Sequence, residues 1–252
     1  NVTNTTGGTI TVAAGASDDT VKGSAGKEII FGGTSDASGD GNQIWGGDGS
    51  DTFYVGYRYD PEMAAFTSGD GVEAFSPGTE AVDVIRDWET DDTLNVSSAG
   101  RAVIGGLFGQ SGDGTAWDGA DTVDLRGSTN LGEIVIAAGL NNNKIYGTSG
   151  RESIYVGYEY LASNDVIDGT IAPTGVASAT DIIWEWDDQT ANRDGLTVNS
   201  GATAIIGGLL NKSTPNIGES QDTIADANWR GNDIVDLRNQ VINNGIVRIA
   251  AG

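Results

Sequence analysis

The sequence predicts an all-β protein made of two tandem, related units, and two observations lead to this expectation. Short segments rich in Val, Ile, Thr and aromatic residues recur along the chain between clusters of Gly, Asn and Asp, a pattern typical of short strands joined by turns. No segment keeps a helical apolar stripe over three turns. The chain also repeats itself with a period of about 110 to 125 residues, which is closer to a small domain than to one solenoid turn.

Four sequence blocks recur in the same order in the two units. Unit 1 carries them at residues 46–59, 81–96, 102–109 and 119–127, and unit 2 carries them at residues 147–160, 179–198, 204–211 and 231–239. A segment that ends in AAG occurs three times, as GGTITVAAG (7–15), LGEIVIAAG (131–139) and NGIVRIAAG (244–252). We therefore expect a terminal strand at residues 1–15 that resembles the end of a preceding repeat, a first unit at residues 16–139 and a second at residues 140–252. This pattern favours a segment of a longer array, and we expect the unmatched stretches 67–80 and 171–178 to be surface loops.

Composition narrows the function classes. The 252 residues carry a net charge of -23, with an isoelectric point of about 4.1, so the chain repels nucleic acid and anionic membranes and attracts divalent cations. The absence of Cys and His excludes disulfides, thiolate nucleophiles, His bases and His- or Cys-ligated zinc. No apolar run reaches the ~20 residues that span a bilayer. A chain with few Lys, one Met and much Gly, Asn, Thr and Asp favours an exported bacterial surface protein, located outside the cell or on its surface.

One nonapeptide points to metal chemistry. GGDGSDTFY (46–54) fits the pattern G-G-x-G-x-D-x-U-x at every defined position. Its glycines permit backbone geometries that turn carbonyl oxygens inward, Asp51 supplies an anionic oxygen, and Phe53 is expected to enter the core. Ligation by oxygen alone is calcium chemistry. We therefore identify candidate calcium ligands in this turn at Gly46, Asp48, Gly49 and Asp51; the alternative is a turn in which Asp caps its own backbone and nothing binds.

The nonapeptide resembles the RTX, or haemolysin-type calcium-binding, repeats of secreted bacterial proteins. This resemblance implies a β-roll or parallel β-helix-like stack of glycine-rich turns, with Ca²⁺ held between turns. The corresponding turn of unit 2 carries Arg151 and Glu152, and we expect it to be metal-free because Arg151 would put a cation beside the metal. Half-motifs of the form Gly-x-Asp-x-Val make Asp121 and Asp233 secondary metal candidates.

These features together predict a structural, non-catalytic function. We expect a calcium-binding segment of a surface layer, sheath, filament or adhesin, whose partners are calcium and either further copies of itself or neighbouring repeats. The strand at residues 7–15 suggests that a unit completes its sheet with a strand from its neighbour. One alternative is a C-terminal RTX secretion module of an extracellular enzyme. The other is a carbohydrate-binding or carbohydrate-active β-helix protein, in which the alternating Tyr54, Tyr57 and Tyr59 would stack on sugars with Trp88.

Overall fold

The structure is a computed structural model, and it describes separate ranges of the chain. The described ranges are 8–16, 19–33, 42–62, 71–75, 81–86, 88, 92–105, 122–137, 139, 143–148, 150–159, 174–175, 179–184, 194–206, 237–238 and 240–249. Within these ranges the protein is all-β, with helical geometry at residues 61–62 alone.

 

Three sheets of parallel strands contain most of these residues. Sheet 1 has five strands in the order β1-β3-β5-β9-β12. Its strands span Thr9–Ala13 (β1), Lys27–Phe31 (β3), Thr52–Val55 (β5), Thr93–Val96 (β9) and Thr129–Asn130 (β12). Every neighbouring pair in this sheet is parallel.

Sheet 2 is the longest, with eight parallel strands in the order β2-β4-β8-β10-β13-β15-β19-β21. These strands span Thr20–Lys22 (β2), Asn42–Trp45 (β4), Ala81–Ile85 (β8), Gly100–Ile104 (β10), Glu133–Ile136 (β13), Arg151–Val156 (β15), Gly195–Val198 (β19) and Val241–Ile242 (β21). The pairing of β13 with β15 joins the segments on either side of residues 139 and 140 in one sheet. The two sequence units therefore share this sheet.

Sheet 3 has five parallel strands in the order β11-β14-β18-β20-β22. Its strands span Thr122–Asp124 (β11), Lys144–Tyr146 (β14), Thr180–Trp184 (β18), Thr203–Ile206 (β20) and Ile246–Ile249 (β22). Along the chain, strands of sheet 2 alternate first with strands of sheet 1 and later with strands of sheet 3. This alternation places successive turns of the chain above one another.

Two short antiparallel pairs lie outside the three sheets. Strand β6 (Tyr57–Tyr59) pairs with β7 (Val72–Ala74), and β16 (Tyr158–Glu159) pairs with β17 (Thr174–Gly175). Strands β7 and β17 fall within the two stretches that the sequence predicts as loops. The sequence gives no signal for them because each has only two or three residues and obtains its order from its partner strand.

The core follows from the two-residue period of the strands. In β5 the side chains of Phe53 and Val55 are fully buried, while those of Thr52 and Tyr54 on the opposite face are partly exposed. The inward-facing side chains of all three sheets form one continuous apolar cluster, which includes Ile30, Leu94 and Ile136. Burial of Phe53 confirms the expectation that it enters the core.

Glycine-rich turns stack directly on one another beside this core. The pairing of Ile29 with Thr52 brings the turn at residues 23–28 against the turn at residues 46–51. We call these turn 1 and turn 2. Gly47 and Gly49 have φ values of 91° and 127°, and a Cβ at either residue would collide with a backbone carbonyl oxygen of turn 1. Both positions therefore require glycine, because of backbone conformation and because of the close approach of the turns.

Replacement of Gly49 by Ala tests this stacking. We expect Gly49→Ala to lower the free energy of unfolding by about 1–3 kcal/mol, the usual cost of a non-glycine residue in such a conformation. The collision of the added Cβ with turn 1 would add to this cost. Gly127→Ala is the control, because a Cβ there would meet nothing within 4 Å. That control should stay within about 0.5 kcal/mol of the parent in denaturant unfolding. Equal effects of the two substitutions would contradict the stacking.

Candidate functional site

The structure places four of the six predicted metal ligands in turn 2. Gly46 and Asp51 are buried there, Gly49 is partly buried, and the side chain of Asp48 is exposed to solvent. Turn 2 therefore presents one of its two carboxylates to the interior and the other to the surface. Asp121 and Asp233 lie outside the described residues, so their metal-binding role stays a prediction.

Buried carboxylates connect turn 1 to turn 2 and connect turn 2 to the start of β9. One oxygen of Asp51, Oδ1, accepts a hydrogen bond of 2.8 Å from the backbone N–H of Glu28. The backbone N–H of Asp51 donates in turn to Oδ1 of Asp92 at 2.9 Å. Glu28, Asp51 and Asp92 are all buried and form a column of carboxylates across sheet 1. We call this set the carboxylate column.

Unit 2 contains a shorter version of this column in sheet 2. The backbone N–H of Glu152 donates to Oδ1 of Asp194 at 3.0 Å. Glu152 lies at the end of the turn formed by residues 147–148 and 150–152, which we call turn 3, and it occupies the sequence position that Asp51 occupies in turn 2. Both units therefore contain the same hydrogen bond, in which the backbone N–H of the last turn residue donates to the aspartate just before the next paired strand.

The carboxylates of turns 1 and 3 have hydroxyl partners within their own turns. The Ser24 hydroxyl donates to Glu28 at 2.8 Å. The Thr148 hydroxyl donates to Oε1 of Glu152, and the Thr148 backbone N–H donates to Oε2 at 3.2 Å. The side chain of Asn130 adds a further hydrogen bond of 2.9 Å to Glu152. Both oxygens of Glu152 are thus satisfied by protein donors.

Turn 2 differs from the other two turns at both of these positions. Gly47 stands where Ser24 and Thr148 supply a hydroxyl, and the shorter Asp51 stands where the others have Glu. The second oxygen of Asp51, Oδ2, is buried and has no hydrogen-bond partner. A buried carboxylate oxygen without a donor is costly when ionised, so it needs either a proton or a cation.

Burial raises the pKa of Asp51 to about 8. The hydrogen bond from the Glu28 backbone lowers the pKa, whereas the nearby carboxylates of Asp92 and Glu28 raise it further. Without a bound cation, the carboxyl of Asp51 is therefore protonated at neutral pH. A cation close to Oδ2 would reverse this balance by stabilising the ionised form.

A second pair of buried polar side chains crosses sheet 2. The Asn42 side-chain amide donates to Oδ1 of Asp83 at 2.6 Å and to the Gly32 carbonyl at 2.6 Å. Oδ2 of Asp83 is buried without a partner, and burial raises the pKa of Asp83 to about 7. A Cβ on Gly32 would collide with this carboxyl group, so the carboxyl packs directly against the glycine. Oδ2 of Asp51 packs in the same way against Gly46, so this contact does not distinguish the two carboxyl groups.

The sequence prediction did not include Asp83, although a signal for it exists. Asn143 in unit 2 donates to Oδ1 of Asp181 at 2.8 Å, and this pair occupies the same place in the repeat as Asn42 and Asp83. Both Asp83 and Asp181 interrupt apolar strand sequences, AVDVI and ATDII. An aspartate retained within an apolar strand in both units is a recognisable sign of a buried polar pair.

The aromatic side chains largely cover one another. Tyr54 stacks on Phe31 with ring centroids 4.7 Å apart and meets the edge of Tyr57 at 5.6 Å. Trp88 is buried against Phe53, with ring centroids 6.1 Å apart. Trp88 therefore belongs to the core and not to a surface platform for sugars. Asp124 and Arg126 form an ion pair, since their side chains are hydrogen-bonded at 2.8 Å.

The described side chains do not form a preassembled metal cage. Among the residues that the structure describes, no group of three or more Asp and Glu side chains is arranged to hold a metal ion. A cation at turn 2 would therefore use Asp51 together with backbone carbonyl oxygens. In the stacked turns, the backbone carbonyl oxygens of Ser24, Gly26 and Gly46 each lie against a glycine of the facing turn. Backbone carbonyls and carboxylates are ordinary calcium ligands.

Comparisons with known proteins add no information about this site. The chain matches no protein-family model, no curated protein and no solved structure. Within the described ranges, no helix is long and apolar enough to cross a membrane.

The raised pKa values predict that stability depends on pH in the metal-free protein. A folded-state pKa above the unfolded value of about 3.9 means that the folded state binds more protons, so its stability falls as pH rises from about 4 to 8. Because the chain has no His or Cys, no other side-chain type ordinarily titrates between pH 6 and 8. We expect denaturant unfolding in a chelator to show a loss of stability across that interval.

Substitution of Asp51 should remove much of this pH dependence. Asp51→Asn keeps the shape of the side chain but cannot ionise, so the fall between pH 6 and 8 should become shallower. Asp48→Asn is the control, because Asp48 is in the same turn and exposed. A profile that Asp51→Asn leaves unchanged would show that Asp51 is ionised in the metal-free protein.

Proposed function

We propose that this chain is a calcium-binding structural segment of a secreted or surface-displayed bacterial protein. The observation that carries this proposal is Asp51, a fully buried carboxylate whose Oδ2 has no donor. Turns 1 and 3 satisfy the corresponding carboxylates with a hydroxyl, and turn 2 has a glycine at that position. A cation at turn 2 would stabilise the Asp51 carboxylate in place of the hydroxyl donor that turns 1 and 3 provide.

Calcium is the cation that this donor set favours. The chain has no Cys or His, so nitrogen and sulfur ligands from those side chains are absent, and oxygen ligands remain. Calcium tolerates irregular arrangements of carboxylate and carbonyl oxygens, whereas magnesium requires a near-ideal octahedron and gives up water reluctantly. The net charge of -23 also concentrates divalent cations around the protein.

The strand pairing supports a roll-like stack of turns. Thr9 pairs with Lys27, and Glu133 pairs with Arg151, so both pairs have the same separation along the chain. This separation is eighteen residues, the length of two nonapeptides. If one nonapeptide provides one turn and one strand, then two nonapeptides pass once through each of two sheets and return the chain to the first sheet. We call this path a circuit. We therefore propose a β-roll whose longer circuits accommodate insertions.

The hydrogen bonds of the buried carboxylates support a structural function. Asp51, Asp92 and Asp194 accept hydrogen bonds from backbone N–H groups of neighbouring strands. Such groups hold strands together and do not converge on a cleft where a substrate would react. Calcium is scarce in the cytosol and plentiful outside the cell, so a calcium-dependent stack would reach full stability only after export.

Calcium titration of the purified chain tests the proposal. At a hundredfold excess over the dissociation constant, calcium should stabilise the fold by about 2.7 kcal/mol, which raises Tm by roughly 5–10 °C for a chain of this size. Magnesium at the same concentration should have a smaller effect. Thermal unfolding and the measured stoichiometry of bound calcium together report the response.

Two variants assign the response to turn 2. Asp51→Asn should abolish it and, in chelator at pH 8, should make the protein more stable than the parent. Glu152→Gln is the matched control, because it removes the carboxylate at the same position of turn 3, where protein donors already satisfy it. A calcium response that survives Asp51→Asn, or one that Glu152→Gln abolishes instead, would contradict the assignment.

A further inference from the structure

The side chain of Asn42, the first residue of β4, links three other segments of the chain. Its amide nitrogen donates to Oδ1 of Asp83 on β8 and to the carbonyl of Gly32, the residue after β3. Its Oδ1 accepts a hydrogen bond of 2.9 Å from the backbone N–H of Asp19, the residue before β2. Asn42 is completely buried, so these bonds replace the water that its amide group has lost on folding.

The surroundings of the Asp83 carboxyl group are apolar apart from this amide. Asp83 lies on the inner face of β8, together with Ile85 of the core. Its backbone pairs with Asn42 on β4 and with Ala102 on β10, so both edges of β8 are occupied by strands. Ala102 is fully buried, and the Asp83 carboxyl group packs directly on Gly32. Oδ2 of Asp83 therefore meets no hydrogen-bond donor.

The charged side chains of sheet 2 near Asp83 point away from its carboxyl group. Arg101 lies on the outer face of β10, where its Nε is 3.4 Å from Oε2 of Glu133. The guanidinium of Arg86, the residue after β8, donates to the side chain of Gln43, also on the outer face. Strand β4 itself carries no charged residue.

The titratable groups of the other neighbouring segments are also engaged elsewhere. The Asp19 carboxylate accepts a hydrogen bond of 3.0 Å from the N–H of Gly15. On β5, the Tyr54 ring stacks on an aromatic ring of β3 on the outer face of sheet 1. Burial and the Asn42 amide are therefore the two influences on the pKa of Asp83, and burial, which raises it, is the larger.

We propose that Asn42 and Asp83 form a proton-dependent latch, a pair that holds β4 against β8 only while Asp83 is protonated. A neutral Asp83 tolerates the lack of a donor at Oδ2 and keeps the Asn42 amide in place. Loss of the proton leaves a buried charge with one donor, so β4 separates locally from β8 and lets water reach the carboxylate. The latch is closed in acid and opens as the pH rises.

The direction of this pH dependence follows from the pKa of Asp83 in the two states. In the closed state burial raises the pKa of Asp83 to about 7, whereas in the open, hydrated state we expect the ordinary value of about 3.9. Between these values each added pH unit favours the open state about tenfold, because opening releases one proton. Above about pH 7 both states are ionised, and the open population stops rising.

The latch is separate from the proposed calcium site. Asp83 is not one of the predicted calcium ligands, and it lies within a paired strand, whereas Asp51 lies at the end of a glycine-rich turn. The inference therefore goes beyond the proposed function. Failure of the calcium site leaves the latch intact, and failure of the latch leaves the calcium site intact.

Amide hydrogen exchange of the metal-free chain measures local opening. The Arg86 N–H donates to the Ile44 carbonyl across β8 and β4. Its protection factor, which corrects for the intrinsic effect of pH, should fall about tenfold per pH unit between about pH 5 and 7 and then level off. The Ala137 N–H, which donates to Ile104 farther along sheet 2, is the internal control and should lose less protection.

Asp83→Asn assigns this loss to the latch. The variant keeps the shape of the neutral side chain and has no proton to lose, so the Arg86 N–H should stay protected as the pH rises. Asp48→Asn removes an exposed carboxylate and should behave as the parent does. Equal losses at Arg86 and Ala137 in the parent, or a loss at Arg86 that survives Asp83→Asn, would overturn the proposal.

The chemical shift of the Asp83 carboxyl carbon gives a readout that does not depend on stability. It should titrate with a midpoint near pH 7 in the folded chain, and a midpoint near the ordinary value of about 4 would overturn the proposal. Excess calcium should leave this midpoint unchanged in the Asp51→Asn variant, which lacks the turn 2 carboxylate. A midpoint that calcium lowers there would show that Asp83 binds the cation itself, and would also overturn the proposal.

Discussion

Each glycine-rich turn is tied to the next layer of the stack by a buried carboxylate that accepts a backbone N–H from a neighbouring strand. Asp51 bonds to Glu28 in this way, and Asp92 bonds to Asp51. The contact requires the turns to approach closely, and glycines at Gly47 and Gly49 make that approach possible. The same contact places negative charge inside the protein, so every layer must also neutralise its carboxylate.

The protein neutralises these groups in different ways. Turns 1 and 3 supply hydroxyl donors from Ser24 and Thr148, and an amide from Asn42 donates to Asp83. Neither Asp51 nor Asp83 has a donor for its second oxygen. A fold with buried, unsatisfied carboxylate oxygens is sensitive to its surroundings, because a proton or a cation determines how stable those layers are. Calcium dependence and pH dependence would thus arise from the same atom.

The sequence predicts the all-β class and most strands of the sheets, because segments such as TFYV and TLNV alternate partly exposed and buried positions between turn residues. It does not predict which strands pair, since a two-residue period does not identify a neighbour. Asp51 could be identified because the nonapeptide combines glycines with an aspartate at fixed spacing. Asp83 was missed because a single aspartate within AVDVI resembles an outward-facing residue, and its burial depends on Asn42 from a distant strand.

The release of protons on calcium binding tests the central claim most directly. Calorimetric titrations in buffers of different ionisation enthalpy measure the number of protons released for each calcium bound. At pH 7 the metal-free Asp51, whose pKa is about 8, is mainly protonated, and calcium should displace close to one proton from it. The Asp51→Asn variant should release none. Calcium binding to the parent chain without proton release would show that Asp51 is already ionised, and would contradict this account of turn 2.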